Sequence, residues 1–217
     1  MKRLKKAPYK ACLLPLMILI LTALSLSVSA AGGEWSFKRP ITIDRTKVAG
    51  SLSDFPVLID ATIGSGKAKP DASDVYFTSS DGISKLSHEI ESYDSSSGRV
   101  VAWVNVPVLN NVTDTLLYMY YGNSNADDQQ NAAGVWDSNY LSVHHLEEKS
   151  GTSVLDSTGK NNGVANNVTL NAAGKIDGAN QFNGVNSRII LPQIFTTQNQ
   201  FTIEAWINTE NKWGYVV

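Results

Sequence analysis

The chain has 217 residues, with 42% hydrophobic and 18% charged side chains, and this balance excludes a disordered protein. Five of the 18 basic residues and none of the 20 acidic ones precede residue 31, so residues 31–217 carry a net charge of −7. That acidic balance argues against nucleic acid as a partner, because binding to phosphate rests on lysine and arginine.

Residues 1–30 have the features of a secretory signal peptide. The basic stretch MKRLKKAPYK precedes the apolar run ACLLPLMILILTALSLSV and small residues at 28–30, the order that a signal peptidase recognises. An uncleaved anchor is the alternative, since the apolar run approaches the length of a membrane span. We expect a secreted, cell-surface or periplasmic protein that meets a membrane only through this segment, if uncleaved. The single cysteine, Cys12, lies here, which excludes disulfides from the mature chain.

From residue 31 onward, short β-rich runs alternate with turn-forming residues. Trp35, Phe37, Ile41 and Ile43 alternate with polar residues, which is the period of a strand. Further runs predict strands at 55–60, 74–78, 88–93, 100–108 and 115–122. Mixtures of Gly, Ser, Asp and Asn separate these runs and predict turns. The polar stretch 125–134 is expected to be a loop or one helical turn at a domain boundary.

The rest of the chain continues the same pattern. The stretches VWDSNYLSVHHLEE, SRIILP and FTIEAWIN read as further short strands. The chain stops at WGYVV, within what reads as a strand, so we expect the last domain to be truncated. Strands at this spacing predict an all-β fold class with two β-sandwich, jelly-roll-like domains. The predicted bounds of these domains are 31–137 and 138–217.

Residues 34–137 resemble a known secreted family. The landmarks, in order, are EWSFKRPITID, DFPVLID, ASDVYFTSSDG, LSHEIESYD, GRVVAWVNVP, TDTLLYMYYGN and VWD. They are similar to the bacterial and archaeal family called domain of unknown function twenty-three forty-one. The resemblance implies an extracellular, modular protein, and it includes members fused to proton-channel-driven transport components.

Residues 140–217 resemble the opening of a laminin-G and concanavalin A-like jelly roll, the fold of many lectins and glucanases. The landmarks are VHHLEE, VLDSTGKNNG, GKIDGANQFNG, SRIILP and FTIEAWIN. The usual domain is about twice as long, and the part not present usually carries the loops that bind calcium or sugar. No binding residue of that family is therefore carried over to this chain.

The stretch SHEIESYD contains the first candidate site. On a regular strand Glu89 and Glu91 share a face, about 6.6 Å apart at the backbone, and retaining glycosidases hold two carboxyl groups about 5–5.5 Å apart. The strand motif of jelly-roll glucanases has a third carboxylate, and Tyr93 stands in its place. We therefore expect a ligand-binding face of Glu89, Glu91 and Tyr93 directed outward, with Ile90 toward the core. A catalytic pair is the alternative.

Aromatic residues on two other predicted strands offer a second candidate site. Tyr118 and Tyr120 share one face of their strand, opposite Leu117 and Met119. If the tyrosine face is exposed, the two rings can stack on sugars. Trp103 lies among Val and Ala residues, and we expect it in the core.

A loop and a histidine pair complete the candidates. Asp156, Asn161 and Asn162 are oxygen donors in a glycine-bearing loop, which is the chemistry that calcium favours. An Asx-rich turn is the alternative, and no other cofactor is indicated. His144 and His145 are adjacent, so on a strand they face opposite ways and do not readily ligate one metal.

These features predict a non-catalytic recognition module, secreted or surface-exposed, whose partner is a glycan or a cell-envelope polymer. Two alternatives stay open. One is a glycoside hydrolase or an accessory domain of one, and the other is a periplasmic or structural domain of an envelope transport apparatus. Fold resemblance does not decide among them, because sandwiches of this kind host many functions.

Overall fold

The computed structural model describes residues 35–194 and 200–209, and the predicted signal peptide lies outside them. Within these residues the chain is all-β. Its strands are β1 (Phe37–Ile43), β2 (Leu52–Thr62), β3 (Tyr76–Thr78), β4 (Lys85–Leu86), β5 (His88–Asp94), β6 (Arg99–Leu109), β7 (Thr115–Tyr121), β8 (Ser153–Val154), β9 (Gly163–Asn166), β10 (Thr169–Ala173), β11 (Gly178–Gln181) and β12 (Arg188–Ile190). Single 3-10 turns at Arg45–Lys47 and Ala132–Gly134 are the helical elements of the described part.

Two antiparallel sheets form a β-sandwich. One sheet has the strand order β1-β7-β3-β4 and the other β2-β6-β5. Apolar residues from both inner faces meet between the sheets, as sandwich packing requires. The core includes Ile41, Ile43, Phe77, Leu117 and Met119 from the first sheet and Ile59, Val100, Ala102, Val104 and Val106 from the second. The predicted all-β fold class is confirmed.

The strands of this sandwich occur where alternation and β-branched residues predicted them. The prolines agree with the sheet order, because Pro40 and Pro56 lie on β1 and β2, which are edge strands. A proline there costs no ladder hydrogen bond to a second neighbour. The stretch 125–134 is a loop that ends in one helical turn, as expected.

The central strand β6 is covered on both faces. Val100, Ala102 and Val104 face the sandwich core, while Val101 and Trp103 project from the opposite face. Val101 is only 1% exposed, and residues 135–161, which we call the overlying segment, contact the same face at Trp103. The expectation that Trp103 belongs to the core is wrong, since its ring packs under the overlying segment and not between the sheets.

Residues beyond the sandwich form two smaller sheets. Strands β12-β9-β8 make one and β10-β11 the other. The prediction of strands within residues 141–149 and 201–208 is wrong. Residues 141–149 are held mainly by side-chain contacts instead. The division into domains at 137 and 138 stays a prediction. Within the described residues no helix is long and apolar enough to span a membrane.

Candidate functional site

The strand β5 contains a bulge at its second glutamate. Ile90 pairs with Ala102 and Ser92 pairs with Val101, so Glu91 has no partner of its own on β6. A bulge inserts one residue and changes the face on which later side chains project. Both Ile90 and Tyr93 consequently pack against the sandwich core. Glu89 and Glu91 are directed instead toward the overlying segment.

His145 of the overlying segment lies between the two carboxylates. Its Nε2 is 3.2 Å from Glu89 Oε2 and its Nδ1 is 3.0 Å from Glu91 Oε2. The side chains of His145, Glu89 and Glu91 are only 10%, 14% and 5% exposed. Because a carboxylate accepts at both ring nitrogens, the imidazole carries both protons and is a cation. The three groups form a buried ionic cluster with one positive and two negative charges.

Neutral donors complete this cluster. Ser157 Oγ donates to Glu89 Oε1 at 2.7 Å, and Trp136 Nε1 donates to Glu89 Oε2 at 2.9 Å. The indole of Trp103 donates to Glu91 Oε2. The Trp103 and Trp136 ring centroids are 5.3 Å apart, and both rings flank the imidazole. Buried charges are tolerated when they are paired and hydrogen-bonded in this way.

The pKa directions agree with the geometry. Burial alone would lower the pKa of His145, but hydrogen bonds and charges from Glu89 and Glu91 outweigh it and raise that pKa to about 10. Burial would raise the pKa of Glu89, yet hydrogen bonds from His145 and Ser157 outweigh it and lower that pKa. A general acid of a glycosidase needs a raised carboxyl pKa, so Glu89 is unsuited to that role.

A cleft of about 330 Å³ opens beside the cluster. Glu89, His145 and Ser157 contribute to its wall, together with Glu147 and Glu148. Burial raises the pKa of Glu147, and the carboxylates of Asp177, Glu91 and Glu89 add to this effect against His145. Four acidic residues, Glu89, Glu147, Glu148 and Asp156, line the cleft, and we call it the acidic cleft.

The structure changes the expectation for the first candidate site. Glu89 and Glu91 do lie together, but they are not directed to solvent as expected, because the overlying segment covers them. Tyr93 does not share their face, because the bulge turns it to the core. A ligand-binding role for these residues stays a prediction.

The sequence reasoning missed that His145, Ser157 and Trp136 join this cluster. Two neighbouring carboxylates on a buried strand require a cation. This requirement could have indicated that a basic side chain such as His145 pairs with them. The adjacent His144 contacts other groups, with Nε2 2.6 Å from Ser142 Oγ and Nδ1 2.7 Å from the Leu155 carbonyl oxygen. The two histidines are thus directed apart, as predicted.

The side chains of the predicted calcium loop serve its own folding. The Asp156 carboxylate accepts from the backbone N–H groups of Val143, Thr158 and Asn161 at 2.8–3.0 Å and from the Thr158 hydroxyl at 2.6 Å. Asn162 Oδ1 accepts from the Asp156 N–H, and Asn161 Nδ2 donates to the Leu141 carbonyl. These contacts are those of an Asx-rich turn. The described residues contain no group of three or more His, Cys, Asp or Glu side chains arranged to hold a metal ion.

The second candidate site is an aromatic strip on the outer face of the β1-β7-β3-β4 sheet. We define the aromatic strip as Trp35, Tyr76, Tyr118 and Tyr120. Tyr76 and Tyr120 are paired across strands and stack with centroids 4.8 Å apart at 12°. The Trp35 ring meets Tyr76 edge to face at 4.8 Å. The prediction that the tyrosines and the apolar residues of β7 lie on opposite faces is confirmed, since Leu117 and Met119 face the core.

The strip is partly open to solvent. Trp35, Tyr76 and Tyr118 are partly exposed, and Tyr120 is 9% exposed. Tyr120 is fixed in place, because its hydroxyl donates to the Gly82 carbonyl at 3.2 Å, and the Trp35 indole donates to the Asp74 carbonyl at 3.0 Å. Rigid, amphipathic rings of this kind are suited to ligand contact.

The fold defines the described chain as an antiparallel β-sandwich protein. Residues 71–161 match the model of a family described as "Domain of unknown function (DUF2341)". The match starts later than the resemblance at 34–137 and continues past 137 into the overlying segment. The laminin-G and concanavalin A-like resemblance of 140–217 is not confirmed and stays a prediction. No curated protein and no solved structure matches the chain.

Proposed function

We propose that this protein is a non-catalytic, extracellular recognition module that binds a glycan or cell-envelope polymer through the aromatic strip. The observation that carries the proposal is the row of ordered, partly exposed rings on the outer face of one sheet. Sugar rings pack their apolar faces on aromatic rings in protein binding sites. Extracellular location is supported by the signal-like residues 1–30.

The geometry of the Glu89–His145–Glu91 cluster favours a binding function over hydrolysis. Both carboxylates are engaged by a buried imidazolium and by indole or hydroxyl donors. A retaining mechanism needs one carboxyl group free to attack and one that is protonated. The cluster instead joins the overlying segment to β5, which is a structural role.

A glycan array probed with the folded protein tests the proposal. We expect binding to one class of polysaccharide, and we expect Tyr118→Ala to weaken it by about tenfold, or about 1.4 kcal/mol. Tyr140→Ala is the matched control, because Tyr140 is a partly exposed tyrosine that packs on Trp136, away from the strip. Equal weakening by both variants, or binding to no glycan at millimolar concentration, would contradict the proposal.

A further inference from the structure

We propose that the ligand of the aromatic strip is an acidic polysaccharide, one that carries carboxylate groups on its sugars. This inference rests on the proposed function and adds the charge of the ligand to it. Its basis is the placement of two lysine ammonium groups along the strip of a chain whose charge is otherwise negative.

Lys38 supplies the first ammonium group. It lies on β1 directly opposite Tyr120, and its Nζ is 3.7 Å from the Tyr118 ring centroid and 5.2 Å from that of Tyr120. The ammonium group therefore covers one face of the Tyr118 ring by a cation–π contact. A sugar stacked beside Tyr118 would bring an exocyclic carboxylate to this group.

Lys85 supplies the second ammonium group on the other side of the strip. Its Nζ is 5.9 Å from the Tyr76 ring centroid and donates to Gln129 Oε1 at 2.8 Å. Lys85 is on β4, which pairs with β3 beside Tyr76 and Thr78. The two ammonium groups therefore flank the central stacked pair, Tyr76 and Tyr120, from the two edges of the sheet.

Neither lysine is neutralised by a carboxylate partner in the described part of the chain. The Lys or Arg ion pairs there are Arg45–Asp114 and Arg99–Asp60, both away from the strip. Asp81, in the turn beside Gly82, accepts from Ser79 Oγ and from the N–H groups of Ile83 and Ser84, so its hydrogen bonds lie within its own turn. A local positive potential on an acidic protein selects anionic ligands.

The combination of two lysines with a strip of aromatic rings also distinguishes this surface from a general basic patch. Nucleic acid binding needs several phosphate contacts and a basic excess, whereas this strip offers two cations and a net charge of −7 over residues 31–217. Two cations beside stacking rings fit a polymer of neutral sugar faces with one carboxylate per residue or per repeat. The geometry thus favours uronic-acid polymers over neutral glucans.

A paired binding experiment tests the inference. Polygalacturonate and its fully methyl-esterified form share a backbone and differ in charge, and both are titrated into the folded protein by calorimetry at low and at high salt. We expect tighter binding of polygalacturonate, with the difference reduced as salt screens the exposed charges. Lys38→Gln and Lys85→Gln should each weaken polygalacturonate binding about two- to five-fold, the range of exposed ion pairs, and should weaken binding of the esterified polymer less.

Lys149→Gln is the matched control, because Lys149 is exposed on the overlying segment and away from the strip. Equal, salt-insensitive affinity for the two polymers, lost in Tyr118→Ala, would overturn the acidic ligand while supporting recognition at the strip. The inference would also be overturned if Lys149→Gln weakened polygalacturonate binding as much as Lys38→Gln does. Binding would then depend on the overall charge of the protein and not on the strip.

Discussion

His145 balances the charge of two glutamates that β5 places in a largely buried position. A buried carboxylate pair without a cation is costly, since removing one partner of a buried ion pair destabilises a protein by about 3–5 kcal/mol. The histidine lies more than fifty residues away along the chain from Glu91. Together with Trp136 and Ser157, this residue connects the overlying segment to the sandwich.

We predict that His145→Gln lowers the free energy of unfolding by about 3–5 kcal/mol at neutral pH. The variant leaves Glu89 and Glu91 without their cation, although their indole and hydroxyl donors remain. Urea unfolding at pH 7 measures the change. His144→Gln is the control, and we expect a loss of about 1 kcal/mol, because the partners of His144 are a hydroxyl and a carbonyl and not a carboxylate. Equal losses in the two variants would show that the ionic cluster adds no stability.

At the scale of elements, β5 and the overlying segment depend on each other. The bulge at Glu91 directs both carboxylates to one side, and the segment supplies the groups that neutralise them. Residues 141–149 lack a strand ladder, so side-chain contacts provide much of their attachment. Loss of those contacts should release the segment before the sandwich unfolds.

We predict that Glu89→Gln combined with Glu91→Gln accelerates trypsin cleavage after Lys149 and Lys160, because both lysines are exposed on the overlying segment. Mass spectrometry of the fragments during limited digestion gives the rates. Cleavage after Lys47, exposed in the 3-10 turn after β1, is the internal control and should not change. Uniform acceleration at all three lysines would instead indicate global destabilisation.

The sequence predicted the strands of the sandwich well, because alternation is a local property of each run. It predicted that Tyr118 and Tyr120 share a face for the same reason. The prediction that Tyr93 shares the face of Glu89 and Glu91 was wrong, because the bulge depends on the pairing with β6 and not on the residues of β5 alone. The sequence also failed to bring His145 to Glu89, because that contact is non-local and arises only after the sheets have formed.

At the scale of the whole molecule, two histidines with opposite environments set the pH range of stability. His88 is fully buried against Phe77, and burial lowers its pKa to about 4, below the unfolded value of about 6.5. Its native form is neutral, so stability is lost as pH falls from about 6.5 toward 4. The pKa of His145 is raised to about 10, so its contribution is complete below about 6.5 and is lost as pH rises through 10.

We predict a maximum in Tm close to pH 6.5, with losses on both sides, measured by scanning calorimetry from pH 4 to 10. His88→Leu should reduce the loss of Tm at acid pH and leave the alkaline side unchanged. A smaller loss at acid pH should remain, because the pKa of Glu89 is lowered and its stabilisation is lost in acid. His145→Gln should flatten the alkaline side and also reduce the acid-side part that Glu89 contributes, because His145 lowers the pKa of that carboxyl. A wild-type Tm that is constant from pH 6.5 to 10 would contradict a buried imidazolium.

We propose that the ligand contacts the protein at the aromatic strip and not at the acidic cleft. Hydroxyl-radical footprinting with polygalacturonate tests it directly, because tyrosine and tryptophan oxidation reports solvent access at each ring. We predict protection of Tyr76 and Tyr118, with no change at Tyr140, which packs on Trp136 beside the ionic cluster. Protection of Tyr140 and Trp136, with Tyr76 and Tyr118 oxidised as in the free protein, would contradict the account.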